Sequence, residues 1–195
     1  EAAPDTGIAV LTLFAFSSDN WRRPMPEVTG LLRLFGRYLR EERERAVANG
    51  VALTVIGDRE RLPTWLRADI EQTEAVTASG RRLALRLAVD YSARDAIVRA
   101  AARLAETGED ITRARFAELL SGGIPPVDLL IRSGGEQRLS DFLLWECAYA
   151  ELFFSPTMWP DFTPAELQRI VTEFRTRDRR FGGVSTPPAP LTLSR

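Results

Sequence analysis

The sequence predicts an α/β domain with a mostly parallel central sheet flanked by helices, and three observations carry that prediction. Apolar runs of strand length recur at residues 8–16, 51–56, 83–89, 127–131 and 151–154. Segments of helical period lie between them. Pro, Gly and Ser/Thr mark the joints, as strand–helix–strand crossovers require in a sheet covered on both faces.

Residues 8–16 are rich in strand formers and stop at Ser17-Ser18. From Pro24, Val28, Leu31, Leu32, Phe35, Tyr38 and Leu39 recur at spacings of three and four, which predicts one long helix. The charged run 40–45 extends it as solvated helix, and Gly50 stops it. After the strand at 51–56, residues 62–79 form a second helix with Pro63 in its first turn. In the next strand Leu83, Leu85, Leu87 and Val89 face one way, and Ala84, Arg86, Ala88 and Asp90 the other. A charge at Arg86 inside an apolar sheet is costly, so it must face elsewhere or find a partner. Helices follow at 93–106 and 112–120, then a strand bounded by Pro125-Pro126. Ser140 is expected to cap a short helix over 142–148. Residues 151–154 form a last strand, and Thr163 caps a helix running to about residue 180. Residues 1–184 read as one domain and 185–195 as a loose tail.

Composition narrows the chemistry. With 26 basic and 27 acidic side chains the net charge is −1, which argues against a nucleic-acid partner. The chain has no histidine, which excludes Ser-His-Asp triads and histidine-bound zinc. Cys147, the only cysteine, lies in an apolar stretch and reads as a small core residue. Without an intrachain disulfide, a signal peptide or a long apolar span, a cytoplasmic protein is expected.

The most informative stretch is DLLIRSGGEQRLSDFLLWE at 128–146. An apolar strand runs into Arg132, a Gly-Gly turn, Arg138 and Ser140. Gly134 and Gly135 are expected to bring backbone N–H groups close to an anion, with Arg138 supplying a planar fork of donors and the following helix a favourable dipole. Singly, each of these features is ordinary in a solvated loop. Together they suit a diphosphate. Ser17, Asp90 and Arg132 all close strands, and in parallel sheets ligands gather at carboxyl ends, so these three places are expected to converge.

This segment resembles the cis-prenyltransferases, the undecaprenyl diphosphate synthase family, in its order of Arg, Gly-Gly-Glu, Arg and Ser before Phe-Leu-Leu-Trp. Two further blocks agree: LTLFAFSSDNWRRP at 11–24 with Glu27, and AYAELFFSPTMWPDF at 148–162 with RRFGG at 179–183. The resemblance implies the cis-prenyltransferase fold and a Mg²⁺-dependent enzyme. Its reaction would join an allylic diphosphate, farnesyl diphosphate above all, to isopentenyl diphosphate, giving a cis-polyprenyl product such as undecaprenyl diphosphate for delivery to a membrane. That destination would make the enzyme membrane-peripheral. By the same resemblance Arg132, Arg138 and Ser140, with Leu139 between them, grip isopentenyl diphosphate, and Glu151 is a metal ligand. Asn20 takes the position assigned to proton removal, with Ser17, Ser18, Asp19, Trp21 and Arg23 among the substrate contacts. A carboxamide has negligible basicity near neutral pH, so Asn20 is expected to orient a transfer whose acceptor is a diphosphate oxygen. Ala15 and the Leu83, Leu85, Leu87 face correspond to a tunnel for the growing chain, and Phe153, Phe154, Trp159 and 179–183 to a homodimer interface.

The sequence departs from the family in three places. Asp19 replaces the common glutamate. Asp90-Tyr91-Ser92-Ala93-Arg94 replaces Asn-Tyr-Gly-Gly-Arg, and no function is carried onto it. The family's first strand with Met-Asp-Gly-Asn, and the helix with Gly-His after it, do not occur here, so a fragment of a longer protein, inactive alone, is expected. A non-catalytic partner subunit is the second reading, and an unrelated phosphate-binding α/β hydrolase the third.

Overall fold

A computed structural model describes residues 2–108 and 110–177. Its element order is β1 (Val10–Ser17), α1 (Met25–Glu41), α2 (Arg43–Ala48), β2 (Val51–Ile56), α3 (Thr64–Thr77), β3 (Leu83–Tyr91), α4 (Ala93–Thr107), α5 (Arg113–Ser121), β4 (Leu129–Arg132), β5 (Glu151–Phe154) and α6 (Pro164–Thr176). Every strand pair is parallel, as the alternation of strands and helices predicts. The strands divide into a sheet of order β1-β3-β2 and a separate β4-β5 pair, where the sequence suggested one continuous sheet.

The two-residue period of β3 distributes its side chains to two cores. Val89, with Leu85 and Leu87 against it, joins Phe16, Leu53 and Val55 under Val28, Leu32 and Leu39 of α1 and Leu66 and Ile70 of α3. Ala88 faces the opposite way, toward Leu130, Leu143 and Cys147, with Phe14 and Ile56 alongside, and Tyr91 joins it because the left-handed Asp90 breaks the alternation. This second cluster joins the two sheets. The Leu83, Leu85, Leu87 face therefore reads as core first. An open groove of about 560 Å³ runs along the outer sides of α1 and α3, lined by Gly30, Leu34, Trp65 and three arginines, away from that face.

Arg86 finds partners rather than solvent: it is 6% exposed, and Nη2 donates to the Ser121 carbonyl at 3.5 Å. Ser121 Oγ in turn donates to Glu146 at 3.4 Å. Burial lowers the Arg86 pKa, and Glu146 opposes that shift by favouring the charged form.

Three predicted helices change. The long one after Pro24 breaks at Glu42 into α1 and α2. The last ends at Thr176, because Arg177 is already extended, with ψ 135. No helix forms over 142–148: Ser140, Asp141 and Leu143 take φ of 50, 61 and 46, left-handed values that break the helical ladder. The backbone there serves neighbours instead. Asp141 O accepts the Ala93 N–H, and Glu146 O accepts that of Val127.

Candidate active site

Two loops at strand carboxyl ends form the candidate site. At the end of β1, a 3₁₀ turn over Ser18–Arg22 is closed by its own side chains. Ser17 Oγ accepts the Asp19 N–H at 3.1 Å, and Asn20 Oδ1 accepts the Ser17 N–H at 3.0 Å. This reciprocal cap fixes the Asn20 amide: its oxygen is spent on the backbone, so its NH₂ is the group left to offer a ligand. Asn20 is thus built as a donor. Trp21 packs edge-on to Phe16 with ring centroids 5.5 Å apart, and its indole N–H is buried without a partner among the described residues. Asp19 faces solvent beside Arg22 at 3.3 Å, and Arg23 pairs with Glu27 at 2.8 Å. Ser18 opens the turn, partly buried.

At the end of β4, Arg132 Nη1 donates to the Arg138 carbonyl at 2.5 Å and to Ser140 Oγ at 2.8 Å. Arg132, Arg138 and Ser140 therefore do come together, with Leu139 turned into the inter-sheet core. Arg138 lies exposed against Glu136. Two expectations about this loop are overturned. Gly134 and Gly135 take φ of 89 and 77, as a left-handed turn demands, but their N–H groups donate to Thr157 O at 2.8 Å and Ser155 O at 2.9 Å. They tie the loop to the chain and are not free to cradle an anion. Ser140, with φ 50, caps no helix, so the helix expected over 142–148 lends the loop no dipole. Anion binding here falls to side chains.

The two loops share a wall. Ser17 pairs with Tyr91 in the β1–β3 register. Phe14 stacks on Phe142 with centroids 4.6 Å apart, and both meet Tyr91 edge-on. The Asp141 carboxylate accepts the Ser92 hydroxyl at 2.6 Å and the Arg94 N–H at 3.0 Å, joining the 138–141 loop to the start of α4. Tyr91, Ser92 and Asp141 thus link the ends of β1 and β4, whereas Asp90 turns its carboxylate away to Arg61. Sequence reading missed Ser92 and Asp141, although a serine three residues before an aspartate is a visible capping signal.

Glu151 stands apart. Register pairs Leu129 with Glu151 and Arg132 with Phe154, so Glu151 opens the two-stranded sheet while Arg132 closes it. Three residues of strand, about 10 Å at ~3.3 Å each, separate the two levels. Its carboxylate accepts Arg177 Nη1 at 2.8 Å. Among the described residues no three His, Cys, Asp or Glu side chains gather as a metal cage. A lone hard carboxylate still suits Mg²⁺, which leans on one or two carboxylates and takes its remaining ligands from phosphates and water. Glu151 therefore fits as one ligand once Arg177 releases it.

Phe153 and Phe154 are partly buried, whereas Trp159, Met158 and Tyr149 are 62%, 60% and 69% exposed. Residues 179–183 lie outside the described residues. Among the described residues no helix is long and apolar enough to cross a membrane.

Comparison with known proteins gives consistent matches. The family model described as "Putative undecaprenyl diphosphate synthase" matches residues 1–182. Isoprenyl transferase 1 of Bradyrhizobium diazoefficiens is 53% identical over 199 residues, covering 100% of this chain and 80% of that protein. The ditrans,polycis-undecaprenyl-diphosphate synthase ((2E,6E)-farnesyl-diphosphate specific) of Francisella tularensis is 48% identical, covering 93% of this chain and 74% of that protein. Among solved structures, a probable undecaprenyl diphosphate synthase from Campylobacter jejuni superimposes with a TM-score of 0.87 at 41% identity, covering 93% of this chain and 86% of that one. Lavandulyl diphosphate synthase from Lavandula x intermedia, in complex with dimethylallyl diphosphate, gives 0.88 at 35% identity, covering 93% and 82%.

Proposed function

Because the chain belongs to the undecaprenyl diphosphate synthase family of prenyltransferases, we propose that it condenses farnesyl diphosphate with successive isopentenyl diphosphates into a cis-polyprenyl diphosphate, undecaprenyl diphosphate being the product. The observation that carries this reading is the gathering of Arg132, Arg138 and Ser140 at one strand end, beside a turn that presents an amide donor.

In each cycle the allylic C1–O bond breaks and its electron pair leaves with diphosphate. The isopentenyl double bond supplies the electrons for the new C–C bond, and a proton then departs from isopentenyl C2. Arg132 and Arg138 neutralise the isopentenyl diphosphate, and Ser140 supplies a hydroxyl donor once the ligand takes over its bond from Arg132. To do so the diphosphate must displace Glu136 from Arg138. Asn20 donates its NH₂ to a diphosphate oxygen, and that oxygen takes the proton. Glu151 would hold Mg²⁺, which when bound neutralises charge on the departing diphosphate. Ser17 fixes the turn, Ser18 and Trp21 shape it, and Asp19 and Arg23 line its exposed side.

We further propose a two-fold homodimer through the exposed Trp159, Met158 and Tyr149 side. The enzyme would be cytoplasmic and peripheral to the membrane that receives its product. The test is incorporation of labelled isopentenyl diphosphate into butanol-extractable product by the full-length protein, with farnesyl diphosphate and Mg²⁺. Incorporation that stops with chelator and falls more than about tenfold in Glu151→Gln is expected. No incorporation by the wild type would overturn the reading.

A further inference from the structure

The end of β3 carries a feature that the reaction above does not use. Asp90 is 2% exposed and takes φ 51, a left-handed conformation uncommon outside glycine. Both of its carboxylate oxygens are occupied by one guanidinium: Arg61 Nε donates to Oδ2 at 2.9 Å and Arg61 Nη2 to Oδ1. The loop that brings Arg61 there, between β2 and α3, is fixed by backbone. The Asp58 N–H donates to Asp90 O at 3.0 Å, and Gly57 passes so near that a Cβ there would lie 2.0 Å from Val89 O. A strained residue and an obligatory glycine therefore serve one contact, the grip on Arg61.

The other side of Arg61 covers the first catalytic loop. Its guanidinium carbon lies 5.4 Å from the Trp21 ring centroid, and Trp21 is wedged on its other contact by Phe16 at 5.5 Å. Trp21 adjoins Asn20 within the same 3₁₀ turn. Mechanical continuity thus runs from the end of β3 through Arg61 and Trp21 to the Asn20 amide. A bidentate carboxylate pins both rotation and plane of the guanidinium, which a single hydrogen bond cannot do.

We propose that Asp90 and Arg61 act as positioning residues for prenyl transfer, locking Trp21 and thereby holding the Asn20 amide where the proton leaves. This rests on the assignment of the 17–23 turn to the reacting carbons. The pair touches neither Arg132 nor Arg138, so it governs turnover and leaves isopentenyl diphosphate binding alone. It also explains the aspartate at a position where the resemblance leads one to expect asparagine: a carboxylate, unlike an amide, accepts from both N–H groups of the fork.

The test uses the full-length protein and three variants, Asp90→Asn, Arg61→Met and the double variant. The double variant matters because either single change leaves an unmatched group beside a buried site, whereas the pair together leaves no buried charge and remains foldable. The expected result is a kcat reduced at least tenfold in the double variant, with KM for isopentenyl diphosphate within twofold of wild type. Each foldable single variant should lose nearly as much as the double, showing that the two residues act as one unit. An independent readout is the ¹H–¹⁵N resonance of the Trp21 indole, assigned through Trp21→Phe, which should shift or broaden in every variant with the pair broken. A folded double variant with wild-type kcat and an unmoved indole resonance overturns the proposal. So does a loss confined to KM. Failure of the underlying functional reading is a different result: the wild type itself would then make no product.

Discussion

The turn after β1 and the loop after β4 both end parallel strands and both face the same wall of Phe14, Tyr91 and Phe142, yet they are polarised in opposite ways. In the first, the backbone consumes the side chains: Ser17 and Asn20 cap each other's N–H groups, and one NH₂ remains with its direction already set. In the second, the backbone is consumed by its own chain through Gly134 and Gly135, and the side chains are left to satisfy one another, Arg132 on Ser140 and Arg138 on Glu136. The first loop is preorganised before a ligand arrives, which is where electrostatic catalysis gains most. The second must trade internal partners for ligand oxygens, which is a property of binding. Damage to the first should therefore register in kcat, and damage to the second in KM.

Asn20→Asp should give the largest effect. It preserves the acceptor for the Ser17 N–H and so preserves the turn, but replaces the outward donor with an acceptor that repels diphosphate. A fall in kcat of about 100-fold is expected, the scale of losing one oriented donor, with an unchanged thermal midpoint. Steady-state kinetics at saturating substrates check it. If Asn20 served instead as the proton acceptor, aspartate would retain or raise the rate.

Arg132→Ala should come next, in the other parameter. It removes a charge-assisted contact worth roughly 1.5–3 kcal/mol, or about 10–150-fold. It also frees Ser140 and the Arg138 carbonyl. The expected outcome is a KM for isopentenyl diphosphate near the upper end of that range, with the allylic KM within about twofold. Arg138→Ala should lie near the lower end, about tenfold, because wild-type Arg138 must first leave Glu136. Separate titration of the two substrates distinguishes these outcomes, and equal losses for both substrates would erase the division between the loops.

How much of this was legible in the sequence follows from what each signal measures. Periodicity reports which side chains are buried, so β1, β2, β3 and the faces of α1 and α3 could be read directly. Turn residues report where the backbone reverses, so a turn at Gly134 and Gly135 could be read, and the structure gives both left-handed φ. Neither signal reports which partner a freed N–H finds. That is why the sequence suggests an anion cradle at the Gly-Gly turn, whereas Thr157 and Ser155 supply its acceptors. The segment after Ser140 failed for a related reason: its apolar pattern records burial between two sheets, and left-handed residues at 140, 141 and 143 satisfy that burial without a helix. Arg61 was invisible because its meaning depends on Asp90, 29 residues away, and on the side-chain plane of Trp21.

Cys147 gives the smallest effect and tests the wall behind the second loop. It lies among Leu130, Leu143 and Ala88 and is 8% exposed. Burial pushes its thiol pKa up from 9.0 to about 11, with Glu146 adding to the shift. Raising the folded value means that the native state keeps its proton where the unfolded chain has lost it. The thiol's contribution to stability is therefore complete below about pH 9 and is lost as pH rises from about 9 to about 11. A shift of that size lowers the thiolate fraction at pH 8 by about 100-fold, and burial blocks the reagent besides. Alkylation of the native protein by iodoacetamide at pH 8 should therefore be at least 100-fold slower than in denaturant. Cys147→Ala should change neither kcat nor either KM by more than about twofold, because the 138–141 loop is tied to the start of α4 through Asp141 rather than through sulfur. Rapid native alkylation that also raised the KM for isopentenyl diphosphate would mean that this wall opens. The second loop would then owe its adaptability to a moving foundation as well as to exchangeable side-chain partners.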